Sequence, residues 1–326
     1  METCEFSSKS PDRQKRQLSQ DDGEDTGTSY GSQNSLDERH TDLSRLGIIP
    51  RRAMKNKIAD HESILTNLKL ILCVPIESTC QTGIWMSHKL LRYYNNSDTE
   101  YKRACSTFNR EIQPLEYAEL LKIHLATKGV YFARNTTQHY YEPQESCDHI
   151  EALLLHQYKT PEDVKAFINR LWNICEKKIP KKNTIFIHGA ASSGKSWFAD
   201  CISAFYLSIG HIKNFVRGQN FPFNDCVCRR ILLWNEPSIM GSAYDTVKMI
   251  CAGDPCPCAV KYEGDGKITR TPIIFTSNKL VFPPADPVWN SRIYFEPRWQ
   301  PAPFLADLDL YPHPLAWHLL IQKYID

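Results

Sequence analysis

Eight consecutive residues, Gly189-Ala190-Ala191-Ser192-Ser193-Gly194-Lys195-Ser196, have the types and the spacing to hold a chain of phosphates. The two glycines let the backbone curl so that its N–H groups face anionic oxygens. A helix starting at that point adds the positive end of its dipole. Lys195 is then the cation that reaches the β- and γ-phosphates, and Ser196 is the hydroxyl that ligates Mg²⁺. A Gly/Ser-rich loop can arise without such a role, so the flanks decide. The apolar run Thr184–His188 precedes the loop and a stretch rich in Phe, Ala and Ile follows it. Strand, loop, helix is the context this motif requires.

Such a loop also needs an acid at the end of a neighbouring strand. Arg230–Trp234 is a short apolar run, and Asn235-Glu236 follow it directly. Ligands of open parallel sheets sit beyond the carboxyl ends of the strands. Glu236 there can polarise an attacking water or help hold Mg²⁺, with Asn235 as a weaker oxygen donor. A third run, Pro272–Thr276, ends in Ser277-Asn278. Taken alone, Thr-Ser-Asn is an ordinary turn. Following the other two motifs, the Asn278 amide is placed to touch both a γ-phosphate and the lytic water.

These groups need a scaffold. Short apolar runs alternate with helical stretches from about residue 184 to Phe295, which predicts α/β architecture with a parallel sheet. Thr160-Pro161-Glu162-Asp163 opens a helix that runs to about Lys177, with Val164, Phe167, Ile168, Leu171 and Trp172 inward and Pro180 as its stop. Upstream, Ile58, Ile64, Leu65, Leu68 and Leu72 recur at helical steps. Ile84–Tyr94 and Leu115–Leu125 extend this into a small helical bundle. Residues 1 to about 45 carry too little apolar surface to offset their chain entropy and are expected to be disordered. The division expected is therefore 1–45, 46–149 and 150–326.

With 326 residues, 42% of them hydrophobic, the chain can fill a sizeable core, and its net charge of +2 gives no global field for nucleic acid. Any DNA contact must be local. No run approaches the roughly 20 apolar residues of a membrane span. The twelve cysteines are expected to be reduced thiols of cytosol or nucleus. Cys226/Cys228 and Cys256/Cys258 are spaced too closely for the usual zinc pattern, and no His lies beside either pair. The basic clusters Arg13–Arg16 and Arg51–Lys57 are candidate nuclear-import signals.

Three segments together carry a resemblance: Asn220-Phe221-Pro222-Phe223-Asn224-Asp225-Cys226, Trp234-Asn235-Glu236, and Thr271–Asn278. With the phosphate loop, they resemble the superfamily 3 helicase core of parvovirus large non-structural replication proteins. The Trp-Asn-Glu-Pro form of the acidic motif is similar to that of the arthropod-infecting densoviruses, whereas most vertebrate members carry two acids. The resemblance is specific over about residues 150 to 297. It implies an AAA+-like ATPase that assembles into a homo-oligomeric ring, with a hexamer expected, and drives single-stranded DNA through it in the 3′-to-5′ sense, in a host nucleus. The helical segment then corresponds to the family's oligomerisation bundle.

The same resemblance implies a DNA-binding β-hairpin over Cys258–Ile268. Lys261 falls on the family's hairpin lysine. A second basic position is Glu263 here, with Lys267 or Arg270 as substitutes. Arg292 falls on the arginine finger offered to a neighbouring subunit's ATP. The family's nickase needs two His flanking one hydrophobic residue, and no two His are so spaced. No nicking is therefore expected; the chain is read as a fragment, a split-gene product or an endogenous viral remnant, with a full-length viral replication protein as a further partner. Two other functions stay open on these residues. One is a non-catalytic regulator that binds nucleotide and DNA. The other is a metabolic P-loop kinase, which would need neither the hairpin nor Arg292.

Overall fold

The computed structural model describes residues 61–127, 131–132, 140–218, 220–261, 264 and 266–325. All lie in one compact unit beginning at Lys55. The N-terminal tail, both basic clusters, Ile58 and Glu263 lie outside the described residues.

Helix α1 (His61–Ile71) buries Ile64, Leu65, Leu68 and Ile71, one apolar face at three- and four-residue steps. A two-residue strand, β1 (Cys73–Val74), follows and pairs with β2 (Tyr131–Phe132). The run Ile84–Tyr94 is not one helix. It divides into α2 (Gly83–Ser87) and a 3₁₀ turn at Leu91–Tyr93. His88 makes the break: its backbone is extended, and its ring Nδ1 accepts from the N–H groups of Leu90 and Leu91. Two longer helices, α3 (Thr99–Ile112) and α4 (Tyr117–Ala126), complete this part, the latter opened by a Glu116/Glu119 capping box. A helix with no counterpart in the sequence reading, α5 (Pro143–Tyr158), comes next. Then α6 (Pro161–Cys175) starts where expected, with Thr160 accepting from the Asp163 N–H.

Five strands form the central sheet: β3 (Thr184–His188), β4 (Ile209–His211), β5 (Ile231–Asn235), β8 (Ile273–Ser277) and β9 (Ile293–Phe295). Their order is β4-β5-β8-β3-β9 and every pairing is parallel. A parallel sheet covered on both faces needs near-continuous apolar strands. Ile185, Phe186 and Ile187 in β3 and Ile273, Ile274 and Phe275 in β8 are accordingly 0% exposed. Helix α7 (Lys195–Phe205) crosses from β3 to β4. Helix α8 (Tyr244–Ala252) and a hairpin of β6 (Cys256–Cys258) with β7 (Gly266–Ile268) separate β5 from β8. Short α9 (Pro287–Asn290) leads into β9, and α10 (Ala316–Tyr324) closes the described chain.

Two strands begin one residue later than their apolar runs. Pro272 has no N–H to donate, so it only accepts, from Leu232 N–H at 2.8 Å, and the ladder starts at Ile273. Arg230 precedes the β5 ladder, its backbone N–H donating to Ser208 O at 2.9 Å while its guanidinium turns into the core. That guanidinium is 2% exposed, donates to the carbonyls of Leu115 and Cys175 and to Glu176, and lies over the Tyr206 ring. Residue pair 149/150 falls inside α5, and Ile64, Phe108, Leu153, Phe198 and Trp317 share one core cluster. Eleven free cysteines occur among the described residues, all but Cys228 buried. No group of His, Cys, Asp and Glu there could hold a metal ion. No helix there is long and apolar enough to cross a membrane.

Candidate active site

Since all five strands run the same way, whatever follows each of them gathers along one edge. Three loops do so: residues 189–194 after β3, Glu236 after β5, and Asn278 after β8. As β8 lies between β3 and β5, Asn278 stands between the lysine and the acid.

The phosphate loop is tightly built. Gly189 N–H donates to the Ser277 carbonyl at 3.0 Å, and Ala190 N–H donates to the Trp299 carbonyl at 3.0 Å. A Cβ on Gly189 would lie 2.4 Å from that Trp299 oxygen, so no other residue fits. Gly194 has φ +81° and faces Leu305, 2.6 Å from where a Cβ would stand. Ser192, at φ 55°, takes the same left-handed region without glycine's freedom. From Lys195 the chain is helical, so the first N–H groups of α7 point into the loop.

Lys195 is 7% exposed. Its Nζ donates to Ala190 O at 2.6 Å, Gly189 O at 3.3 Å, Ser193 Oγ at 2.9 Å and Asn278 Oδ1 at 3.2 Å. Burial pulls its pKa below the ordinary lysine value, and the nearby Glu236 carboxylate opposes that shift. The Glu236 carboxylate accepts from Ser277 Oγ at 2.8 Å and from Asn278 N–H at 2.9 Å. Its φ of +47° places it in a region that non-glycine residues seldom occupy. Lysine, amide and acid are therefore linked through one residue, Asn278. Asn235 beside them accepts from Thr276 Oγ1 at 2.9 Å. Burial, Arg298 and Lys195, in that order, lower the pKa of His188 at the end of β3.

A cavity of about 520 Å³ opens onto this group. One end is lined by Ala191, Ser192, Ser193, Gly194, Lys195 and Ser196 with Asn235, Glu236 and Asn278; the other by Trp197, Ala302, Pro303, Leu305 and Ala306. That volume suits a nucleoside triphosphate, because ligand pockets run roughly 300–1,000 Å³. Residues 302–306 were absent from the sequence reading. Their signal is faint: Pro297, Pro301 and Pro303 mark an extended segment after β9. Gln157 on α5 fastens that segment, donating to Gln300 O and accepting from Gln300 N–H.

Arg292 is elsewhere. It precedes β9, whose Ile293 pairs with Thr184 at the start of β3, so it sits at the opposite edge of the sheet. Its Nη1 donates to Val288 O at 2.6 Å and Ser291 Oγ at 3.1 Å; its buried Nε has no partner among the described residues. Lys261 and Lys267 are exposed around the β6–β7 hairpin, with Lys267 opposite Pro257. Lys261 N–H donates to Asn224 Oδ1 at 2.9 Å, tying the hairpin to the loop before β5. Arg270, the other substitute expected for the family's second basic position, donates to Ile179 O and is half-buried.

The model for parvovirus non-structural protein NS1 matches residues 88–282, more than half of the chain. The chain belongs to the parvovirus NS1 family. Initiator protein NS1 of Diatraea saccharalis densovirus is 31% identical over 261 residues, 77% of this chain and 47% of its own length. The Bombyx mori densovirus NS1 is 36% identical over 208 residues, 60% of this chain and 23% of its own. This chain thus spans about half or less of the length of these NS1 relatives. The crystal structure of JCV helicase superposes with a TM-score of 0.51 at 12% identity, covering 84% of this chain and 85% of that one. At that identity the likeness is one of fold. The family membership read from Asn220–Cys226, Trp234-Asn235-Glu236 and Thr271–Asn278 is thereby borne out, with its densovirus relatives.

Proposed function

We propose that this chain is the ATP-hydrolysing motor of a viral DNA helicase that acts in replication and translocates on single-stranded DNA. One observation carries the reading: Lys195, Asn278 and Glu236 converge, through contacts of 3.2 and 2.9 Å, on a cavity of triphosphate size. Residues 189–194 and the start of α7 cradle the phosphates, Lys195 leaves its loop acceptors for the β- and γ-oxygens, and Glu236 orients the lytic water. Asn278 contacts γ-phosphate and water together, so loss of the phosphate is felt at Glu236.

The residues fit Mg²⁺ arriving with ATP better than a resident ion. Ser196 and Glu236 supply one hydroxyl and one carboxylate, and Mg²⁺ commonly takes its remaining ligands from phosphates and water. The ion supplies charge neutralisation at the β- and γ-oxygens. Arg292 is the finger for a neighbouring copy's nucleotide in a homo-oligomeric ring, a hexamer, which the helical segment over 46–149 helps to assemble. Single-stranded DNA runs past Lys261 and Lys267 in the 3′-to-5′ sense. A host nucleus is the place of action, with a full-length viral replication protein as a further partner.

ATP turnover measured with and without single-stranded DNA tests this. DNA stimulation is the expected result. Nucleotide binding without turnover would make the chain a regulator, and turnover indifferent to DNA would point to a metabolic P-loop enzyme.

A further inference from the structure

The cavity beside Lys195 has two chemically unlike ends. The phosphate end carries charge, an amide and hydroxyls. The far end, Trp197, Ala302, Pro303, Leu305 and Ala306, presents hydrocarbon and one indole. Leu305 packs directly over Gly194 at the close of the phosphate loop, so a triphosphate anchored at Lys195 lays its base against this far end. Adenine and guanine share the N7 acceptor and differ at the exocyclic position, an amine donor in one and a carbonyl acceptor in the other. Selecting adenine there takes a fixed acceptor for its amine.

Among the described residues, none of the side chains at the far end is an acceptor; the indole N–H of Trp197 only donates. The polar groups beside it are engaged in holding the wall. Gln157 Nε2 donates to Ser193 O at 3.3 Å and Gln300 O at 2.9 Å, and its Oε1 accepts from Gln300 N–H at 2.7 Å. His156 Nε2 lies 2.8 Å from Pro301 O. The backbone is similarly occupied: Ala302 N–H donates to Ser192 O, Ala302 O accepts from Leu305 N–H, and Leu305 O accepts from Leu308 N–H. Asp307, at the end of the 3₁₀ turn Pro303–Asp307, is exposed and does not line the cavity.

We infer that the site reads the triphosphate and not the base, so that the chain hydrolyses GTP, and more weakly CTP, alongside ATP. This rests on the nucleotide reading of the phosphate loop. The reaction is the same for each: the water oxygen bonds to the γ-phosphorus, the bond from that phosphorus to the β–γ bridging oxygen breaks, and a proton leaves with the nucleoside diphosphate and phosphate as products. A site that hydrogen-bonds its substrate rejects one lacking the group by roughly 10⁴–10⁵, whereas an apolar pocket discriminates by only about 10–200. The wall of residues 302–306 is of the second kind. CTP falls below GTP because a smaller ring covers less apolar surface.

The test is steady-state kcat/KM of the full chain for ATP, GTP and CTP with single-stranded DNA present, read as phosphate release. Displacement of radiolabelled ATP by each nucleotide gives the same ratios as affinities, whether or not turnover occurs. GTP should stand within about 100-fold of ATP, the range an apolar pocket allows. Trp197→Ala should raise KM for ATP and GTP by the same factor, with Tm as the check on folding. Trp197→Phe, which keeps a ring and removes the indole N–H, should leave the ATP-to-GTP ratio within about 10-fold of wild type. If ATP is bound or hydrolysed and GTP trails by more than about 100-fold, the wall reads the base and the inference is refuted while the phosphate-loop reading stands. A larger shift of the ratio in Trp197→Phe would make the indole the reader and overturn it too. If no triphosphate is bound or hydrolysed, the phosphate-loop reading fails and takes this inference with it.

Discussion

The two edges of the parallel sheet treat their polar residues differently. At the carboxyl edge, Lys195, Glu236 and Asn278 hold one another over an open cavity. At the amino edge, the residues just before the strands lock elements together. Asn183 before β3 donates from Nδ2 to Ile250 O and Thr271 O, and its backbone bonds to Cys251 and Arg292. Arg230 before β5 joins Leu115, Cys175 and Glu176. Arg292 before β9 breaks this pattern. It is only half-buried, has no carboxylate partner among the described residues, and its guanidinium donates only to Val288 O and Ser291 Oγ of its own turn. A guanidinium held only within its own turn, far from its own cavity, is what the proposed role toward a second copy requires.

If the edges differ in this way, mutations should separate activity from stability. Lys195→Ala should have the largest effect on turnover, a loss of at least roughly 10³-fold. A single preorganised contact to developing charge is worth about 10²–10³, and here phosphate binding goes as well. Steady-state ATPase assays would show it, and Tm should stay close to wild type because the amine meets only loop acceptors and Asn278. Arg230→Ala should do the reverse. Removing one partner of a buried ion pair typically costs about 3–5 kcal/mol, and Glu176 would be left unpaired. Chemical denaturation would report that loss, and turnover per folded molecule should change little. Asn183→Ala belongs with Arg230, at a smaller cost of about 1–3 kcal/mol for the carbonyls it leaves unmet.

A weaker effect sharpens the same comparison through pH. Burial lowers His124 to about 4 and His313 to about 4, with His124's charge adding to the shift at His313. Both packed rings are therefore neutral in the fold, and the unfolded chain binds protons first. Stability should be complete above about pH 6.5 and decline as pH falls toward about 4, where the folded-state groups titrate. The ceiling is about 3 kcal/mol for each, and less for the pair because they interact. Melting scans of wild type and His124→Gln should show the variant losing less between those limits.

The sequence made the carboxyl edge legible and left the amino edge obscure, for physical reasons. Phosphate binding needs a fixed local spacing, so residues 189–196 declare themselves, and the apolar runs before Glu236 and Asn278 mark where strands end. A lock is non-local. Nothing near Arg230 in sequence says that Leu115 and Cys175 are its partners, and its charge inside an apolar run only blurs the start of β5. The 302–306 wall of the cavity is likewise placed by Gln157, more than a hundred residues earlier. The run Ile84–Tyr94 has helical composition, but the His88 ring captures two N–H groups and stops it. The division at 149/150 follows the start of the family resemblance, and α5 runs across it from Pro143 to Tyr158.

We propose that the site is completed across copies of the chain, with Arg292 of one serving the phosphate loop of the next. Mixing Arg292→Ala with Lys195→Ala tests it. Each variant alone should turn over ATP poorly, and Arg292→Ala should still bind it, since an arginine finger is worth roughly 10³–10⁵ in turnover where such fingers are best measured. In mixtures, some interfaces unite an intact Arg292 with an intact Lys195, and DNA-stimulated ATPase should rise above the sum of the two. A strictly additive mixture at every ratio would rule out a site shared between copies and leave Arg292 an ordinary surface cation.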